Sequence, residues 1–273
     1  MNILQAYFFD GCFSQRAAPS VLLSALVIAM LGGTLGCAEK AVPAKPKEET
    51  LVPIQIAIPK PSFGSGPRDM SKEEALVPIQ TVFPKPSFGS GPRDIKNAYN
   101  LEPPRNGKPY PPILVPKGYD ELLSRGCTVT SSDPWPVKGK LSFVTNGEKE
   151  AGAETSVELA PGWQWVQIDL GSQKEIYAVW IWHFFSQPCV YKDVIVQVSD
   201  DPDFIDGVVT VFNNDHDNSA GLGAGKDFEY FEMFKGRPIP ANGVKGRYVR
   251  CTSGGDTTTR EHIYTEVEVF GKK

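Results

Sequence analysis

Residues 163–199 read WQWVQIDLGSQKEIYAVWIWHFFSQPCVYKDVIVQVS, and this stretch decides the fold class. Apolar and polar residues alternate over 166–170 and again over 194–198, which is typical of β-strands with one buried face. Between them, residues 176–182 are apolar on both faces, which predicts a strand that is covered on both sides. The stretch therefore predicts three successive strands in the middle of an antiparallel β-sandwich.

Four motifs follow one another along the C-terminal part of the chain. They are WVQIDLG at 165–171, YKDVIVQVSDD at 191–201, GRYVR at 246–250 and YTEVEVFG at 264–271. Together they resemble the signature of discoidin-type domains, the galactose-binding-like jelly rolls that also occur in coagulation-factor C domains and bacterial carbohydrate-binding modules. The resemblance covers residues 118–273 and implies an all-β jelly-roll sandwich. Because this fold serves sugar, lipid and protein ligands alike, function has to be argued from the site.

Residues 1–36 have the pattern of an export signal. Arg16 precedes an apolar run over 21–31, which is too short to span a bilayer as a mature helix. The run ends at Gly36-Cys37, which resembles a bacterial lipoprotein cleavage box, so we expect Cys37 to carry the lipid. The alternative is an ordinary secretory signal with an incidental cysteine. Both interpretations predict an exported protein, and the first predicts a lipid anchor in a bacterial membrane of the cell envelope.

Residues 37–117 are rich in proline and predict a linker rather than part of the packed domain. The linker contains a duplication with a period of 25 residues, at 47–69 and 72–94, in which 19 of 23 aligned positions are identical. A semi-rigid spacer is one interpretation. The alternative is a pair of docking motifs, with Phe63 and Phe88 as anchors for a partner groove.

Composition and motifs argue against two classes of function. The formal net charge is −4 and no basic patch stands out, which argues against nucleic acid as a partner. Neither a nucleophile-elbow motif nor a zinc-protease motif surrounds the three histidines, and the glycine-rich run at 221–227 lacks the spacing of a phosphate-binding loop. We therefore expect a non-catalytic binding module.

The exported part of the chain keeps Cys127, Cys189 and Cys251 besides the lipid-bearing cysteine. An odd number of this kind allows one intramolecular disulfide, for which Cys127 and Cys251 are the pair to test. The alternative is that these cysteines serve as small apolar side chains in strands.

Two places offer oxygen ligands for a structural Ca²⁺. The loop at 213–219, NNDHDNS, contains Asp215 and Asp217, although Asn and Asp also favour an ordinary polar turn. The second place is implied by the resemblance, because many bacterial sugar-binding relatives hold calcium between an Asp-Gly turn and a C-terminal glutamate. The matching residues in this sequence are Asn146, Glu148 and Glu266.

Ligand-binding residues are expected on loops at one end of the sandwich. A sugar ring stacks on an aromatic side chain while polar groups bind its hydroxyls, and three loops offer that mixture. The candidate residues are Trp135, His183, Phe185, Arg260 and His262. The alternative for each aromatic is packing beneath a loop. The remaining tryptophans are assigned structural roles: Trp163, Trp165, Trp180 and Trp182.

Cell-surface or extracellular carbohydrate, cell-wall glycan included, is therefore the expected ligand class. The alternative is a protein-adhesion or assembly module that contacts an extracellular protein with the same loops, while the linker repeats dock to a second partner. Binding of lipid headgroups is disfavoured, because the loops lack a cluster of basic residues beside the aromatics.

Overall fold

The computed structural model describes residues 75–87, 95–105 and 108–273. The chain divides into two units at residues 65 and 66, and every described residue belongs to the second unit. Several sequence-based predictions lie outside the described residues: the export signal, Cys37, the first repeat copy, Phe63 and Phe88. The described part of the chain contains no helix with the length and apolarity that a membrane crossing requires.

The described secondary structure is almost entirely β. Its strands are β1 (Leu76–Pro78), β2 (Leu114–Pro116), β3 (Glu121–Leu122), β4 (Thr128–Ser131), β5 (Val157–Leu159), β6 (Gln164–His183), β7 (Ile195–Ser199), β8 (Val209–Asn213), β9 (Arg237–Ser253) and β10 (His262–Lys272). A short 3₁₀ helix spans Leu141–Thr145. These strands confirm the all-β, antiparallel sandwich that the sequence predicts.

The main sheet has the strand order β3-β10-β6-β9-β7-β8, with β4 also paired to β6 and β5 to β10. All of these pairs are antiparallel. The strands β1 and β2 form a separate antiparallel pair. The long strand β6 pairs with β4 along its first half and with β10 along its second half. The long strand β9 pairs with β6 on both sides of a bend, and its C-terminal half also pairs with β7.

The register of β6 against β9 breaks between Asp169 and Lys174. Gly171 lies in this break with φ of 79°, in the left-handed region that favours glycine. The sequence predicts two separate strands here, whereas the structure has one strand with a bend. The difference arises because the ladder to β9 resumes directly after the bend, at Lys174 and Gly246.

The main core lies between the two layers and contains the alternating apolar side chains around residue 196. The prediction of one exposed face is wrong for this strand, because all five residues of β7 are buried. Val194, Val196 and Val198 are fully buried in it, together with Cys251 and Cys189. Burial raises the pKa of the Cys251 thiol to about 12 and that of Cys189 further still. These two cysteines are therefore small apolar side chains of the core.

The described cysteines form no disulfide. The pairing of Cys127 with Cys251 is wrong, because both thiols are free although both side chains pack in or against the main core. Cys251 lies within β9 and is flanked by Val166 of β6 and Val196 of β7. Cys127 precedes β4, and its thiol donates a hydrogen bond of 3.3 Å to the carbonyl oxygen of Leu123.

The strand segment at 176–182 is covered on both faces, as its apolar pattern predicts. Ile176, Val179 and Ile181 face the main core. The opposite face belongs to a second cluster, called here the outer cluster, whose members on the sandwich are Ala178, Trp180, Trp182, Phe185 and Phe270.

The cover of the outer cluster comes from the segment that the sequence assigns to a linker. Ile79 and Val115, next to and within the β1–β2 pair, are buried against it. Its prolines fit this position, because a two-stranded pair consists of edge strands, where a missing N–H is tolerated. The prediction of a linker, which depended on proline content, therefore does not hold for residues 75–87 and 108–117. A few apolar side chains in these segments pack against the apolar outer face of the sandwich.

Candidate functional site

Several loops meet at one end of the sandwich, called here the loop end, where β6 starts and finishes and β9 finishes. The amide of Ser132 donates to the carbonyl of Trp165 at 3.1 Å, and the amide of Gly254 donates to the carbonyl of Lys192 at 2.8 Å. The loops that belong to this end span residues 132–138, 160–163, 184–193, 214–221 and 254–261. Hydrogen bonds between them hold their side chains in fixed relative positions.

Trp135 is 85 % exposed, as expected for a residue that is free to meet a ligand. The Asp133 carboxylate accepts a hydrogen bond from the amide of Trp135 at 3.0 Å and another from the amide of Ala160 at 2.9 Å. Asp133 therefore fixes the turn that presents Trp135 and joins it to the loop that contains Trp163. The Asp-Pro-Trp order is the local signal for this turn, because an Asp side chain commonly accepts from the amide two residues later.

Trp163 is an exposed aromatic residue at the loop end, although the sequence assigns it a structural role. Its side chain is 49 % exposed, whereas Trp180 and Trp182 are buried as expected and Trp165 is half-buried. A Cβ atom at Gly254 would lie 3.4 Å from Nε1 of Trp163 and 2.7 Å from a carboxylate oxygen of Asp193. A side chain at Gly254 would therefore displace the Asp193 carboxylate, and the glycine leaves room for that carboxylate near the indole.

Three carboxylates converge next to that indole. One oxygen from each of Asp193, Asp215 and Asp217 lies within 4.8 Å of the others. The hydroxyl of Ser219 donates to Oδ2 of Asp193 at 3.2 Å, and the amide of Ser219 donates to both Asp215 and Asp217 at 3.0 Å. Burial, followed by repulsion from Asp215, raises the pKa of Asp193. The hydrogen bond from Ser219 lowers the pKa of Asp217.

Asp215 and Asp217 are the residues that the sequence proposes as calcium ligands, and the structure places Asp193 with them. Asp193 gives no local signal, because it lies on a different loop at the end of the segment before β7. The chemistry of this set fits a hard cation, which prefers carboxylate oxygens. Asp193, Asn218 and Arg260 at the loop end also have positive φ values of 51°, 58° and 64°. Such conformations cost energy in residues other than glycine and concentrate at functional sites.

The loop that carries Arg260 is organised by the buried Asp256. Its carboxylate accepts hydrogen bonds from the amides of Thr258 at 2.6 Å, Thr259 at 2.7 Å and Glu261 at 3.2 Å. Arg260 itself is exposed, in line with a ligand-binding role. The sequence signal for this arrangement is an aspartate followed by hydroxyl residues, which favours a turn around the aspartate side chain.

A cleft of about 170 Å³ lies beside the Arg260 loop. Its lining includes Phe184 and Ile263 as apolar members and Glu261 as a charged one. Lys138 and Glu158, which also line it, form an ion pair of 2.8 Å. The volume is below the usual range for enclosed small-molecule sites, so a ligand would rest on the loops rather than enter a pocket.

His183, Phe185 and His262 are wrong as surface ligand-binding residues, because the structure buries all three. Nδ1 of His183 lies 2.7 Å from Oε1 of Glu232, and its ring stacks on Tyr191 with centroids 4.1 Å apart. Phe185 packs in the outer cluster. The sequence places the two histidines beyond strand ends, whereas β6 ends at His183 and β10 begins at His262.

Burial also fixes the chemistry of His262. Its Nδ1 lies 3.2 Å from the hydroxyl oxygen of Ser253. Burial, and then the proximity of His183, lowers the pKa of His262 to about 4. This ring is therefore neutral at physiological pH and has a packing role.

The second group of proposed calcium ligands is not assembled as a carboxylate cluster. Glu266 is buried, and its Oε2 accepts a hydrogen bond of 2.9 Å from the amide of Gly147, while its Oε1 has no partner. Oδ1 of Asn146 accepts from the amide of Glu148 at 2.8 Å, and the backbone oxygen of Asn146 accepts from Arg125 at 2.7 Å. The Glu148 side chain is exposed. Burial raises the pKa of Glu266 to about 8.

No protein-family model matches the sequence, and the search of curated proteins found no match. Among solved structures, the chain is similar to the CBM32 of AlyQ in complex with 4,5-unsaturated mannuronic acid, with 18 % identity, 52 % of this chain and 93 % of that chain covered, and a TM-score of 0.39. It is also similar to the chitosan-binding module 1 of a chitosanase/glucanase from Paenibacillus sp. IK-5, with 21 % identity, 55 % and 99 % covered, and a TM-score of 0.41.

A third similar structure is the lectin domain of lectinolysin complexed with Lewis B antigen. Its identity is 15 %, the alignment covers 56 % of this chain and 97 % of that chain, and the TM-score is 0.39. Similarity at this level transfers no ligand and no activity to the present chain. The function therefore has to be argued from the loop end itself.

Proposed function

We propose that this protein is a non-catalytic carbohydrate-binding module whose ligand stacks on Trp163 and hydrogen-bonds to Asp193. The observation that supports this proposal is the pairing of a half-exposed indole with a carboxylate across Gly254, on loops fixed by hydrogen bonds. An aromatic face binds the apolar face of a sugar ring, and a carboxylate accepts hydrogen bonds from its hydroxyls.

The expected affinity follows from these contacts. Stacking on an aromatic ring contributes about 1 kcal/mol beyond burial of area, and a hydrogen bond to a charged group contributes roughly 1.5–3 kcal/mol. After the cost of association, two or three such contacts correspond to micromolar to millimolar dissociation constants. Trp135 and Arg260 lie on neighbouring loops and would contact further units of an extended glycan.

The proposal is tested by glycan binding of the full chain without its lipid. A glycan array with the Cys37→Ser variant identifies a ligand, which is then titrated against the wild-type sequence and point variants. Trp163→Ala should weaken binding tenfold or more, because it removes the stacking contact. Asp193→Asn should weaken binding severalfold or more, because it replaces a charged acceptor with a neutral one. Asn is the right replacement at Asp193, since it tolerates the positive φ that Asp193 adopts.

Ile205 offers a matched control. It is an exposed apolar residue beyond the far end of β7, so Ile205→Ala should leave glycan affinity and melting temperature unchanged. Equal affinities for Trp163→Ala and Ile205→Ala would contradict the stacking role. A wild-type protein that binds no glycan would instead favour a protein-adhesion or assembly module that uses the same loops.

We further propose that Ca²⁺ binds at Asp193, Asp215 and Asp217, because a divalent cation would relieve the repulsion between three neighbouring carboxylates. The ion would stabilise the loops that carry the glycan contacts. Export and attachment to a bacterial membrane through Cys37 complete the proposal. Both parts have their own tests, given with the predictions below.

A further inference from the structure

The repeat that the sequence shows twice has a specific binding place on the sandwich. In the second copy, Val77 and Ile79 insert into the outer cluster, and the ring of Phe83 lies 5.8 Å from the ring of Trp180. Main-chain bonds add to these contacts, since the amide of Ile79 donates to the carbonyl of Ile113 at 3.0 Å. The second copy is thus bound as a short strand with alternate side chains in a groove.

A buried polar contact fixes the register of the bound strand. Lys149 and Glu268 form an ion pair of 2.7 Å with both side chains buried. The hydroxyl of Thr81 donates to Oε2 of Glu268 at 2.5 Å and accepts from Nζ of Lys149 at 2.6 Å. Nζ of Lys149 also donates to the carbonyl oxygen of Val82 at 2.9 Å. A buried ion pair needs such further hydrogen bonds to be stable, so the strand completes it.

The first copy repeats the apolar residues that enter the groove from β1 and directly after it, although it lies outside the described residues. Positions 51–55 read LVPIQ, as do positions 76–80, so Val52 and Ile54 correspond to Val77 and Ile79. The copies differ at the polar contact, where Ile56 corresponds to Thr81. A strand formed by residues 51–58 would keep the apolar contacts of Val52 and Ile54 and the main-chain contacts. It would lose the hydroxyl, and Ile58 would replace the Phe83 ring that lies beside Trp180.

We propose that the outer-cluster groove recognises the repeat sequence itself, and that residues 51–58 of the same chain are its alternative occupant. Two segments of the chain then compete for one groove. The missing hydroxyl makes the affinity of the first copy for the groove roughly ten- to hundredfold lower. A segment on the same chain has an effective concentration in the millimolar range, so it outcompetes a second molecule. The added loop length costs little, because closure entropy grows only with the logarithm of length.

The exchange would change the length of free chain ahead of the domain. For a chain anchored at Cys37, as proposed above, the extended span to residue 51 is roughly 40 Å and the span to residue 76 is roughly 120 Å, at ~3.1 Å per residue. Binding of one copy or the other would therefore set the reach of the domain from the membrane. The groove itself depends on neither the anchor nor carbohydrate binding.

Hydrogen exchange of the full chain tests the proposal. The amide of Lys117 donates to the carbonyl of Ala75, so exchange over residues 113–117 reports an occupied groove. Ile79→Asp disables the second copy, and Ile54→Asp disables the first. Ile54→Asp alone should leave protection unchanged. Ile79→Asp should keep protection at least tenfold above that of the double variant, and residues 51–58 should become protected.

Ile56→Thr provides a sharper test, because it gives the first copy the missing hydroxyl. Added to Ile79→Asp, it should raise protection over residues 113–117 tenfold or more. No rise, or an Ile79→Asp variant that exchanges like the double variant, would overturn the proposal. Protection that grows with protein concentration would overturn the intramolecular assignment. The amides of β7 must stay protected throughout, and Ile→Ala changes replace Ile→Asp if they do not.

Discussion

Glu266 provides the sharpest prediction about stability. This buried carboxyl has one oxygen bonded to the amide of Gly147 and the other without a partner. Burial raises its pKa from 4.5 to about 8, with a further contribution from Glu268 and opposing ones from Gly147, Arg125 and Lys149. Because the folded state binds the proton more tightly, Glu266 contributes stability that is complete below pH 4.5 and is lost as the pH rises towards 8.

The magnitude follows from 1.36 kcal/mol per unit of pKa, which gives about 4–5 kcal/mol over this range. Glu266→Gln resembles the protonated carboxyl at every pH. It should therefore leave stability nearly unchanged at pH 4 and raise the free energy of unfolding by about 4 kcal/mol at pH 9. Urea unfolding of both proteins at pH 4, 6, 7.5 and 9, in the presence of a chelator, measures the difference.

Parallel curves for the two proteins from pH 4 to 9 would refute the reasoning, since they would show that Glu266 has the same pKa in the folded and unfolded chain. The same experiment with Ca²⁺ separates the two proposed ion sites. An ion at Glu266 would stabilise the wild type at high pH and not Glu266→Gln. An ion at the three aspartates would stabilise both proteins equally.

Three further predictions concern the ion, the anchor and the loop end. With Ca²⁺ at a hundredfold excess over its dissociation constant, the free energy of unfolding should rise by about 2.7 kcal/mol and the melting temperature by several degrees. Asp217→Asn should abolish that shift. Identical melting in calcium and in chelator would contradict the site. Cys37→Ser should move the protein from the membrane fraction to the soluble exported fraction, unless the wild type is already soluble. Gly254→Ala should weaken glycan binding tenfold or more with little change in melting temperature, because its Cβ would lie 2.7 Å from the Asp193 carboxylate; unchanged affinity would show that Asp193 and Trp163 need not be adjacent.

Local patterns predicted where the strands lie. They did not predict the residues at which strands end, and for this reason two histidines were assigned the wrong role. The alternation around Val196 and the two-faced apolar run at 176–182 both describe observed strands. His183 was assigned to a loop because SQP at 186–188 follows it closely, and His262 because a polar segment precedes it. Pairing of Tyr264 with His183 extends the ladder to that position and places both histidines inside.

The loop end could be predicted in part. Trp135 was identifiable because prolines on both sides keep it out of a strand. Trp163 was not, since a tryptophan three residues before an alternating segment has the same local pattern whether it is buried or exposed. Its neighbours Gly254 and Asp193 belong to distant parts of the sequence.

The sequence by itself determined the all-β class, the β-structure around residues 166–182 and 194–198, and the need for cover on both faces of residues 176–182. These properties depend on side-chain periodicity, which is local. The tertiary structure alone decided that Ile79 supplies that cover and that Asp193 joins Asp215 and Asp217. Both depend on which segments meet, and contacts between residues far apart in the chain leave no pattern in either segment.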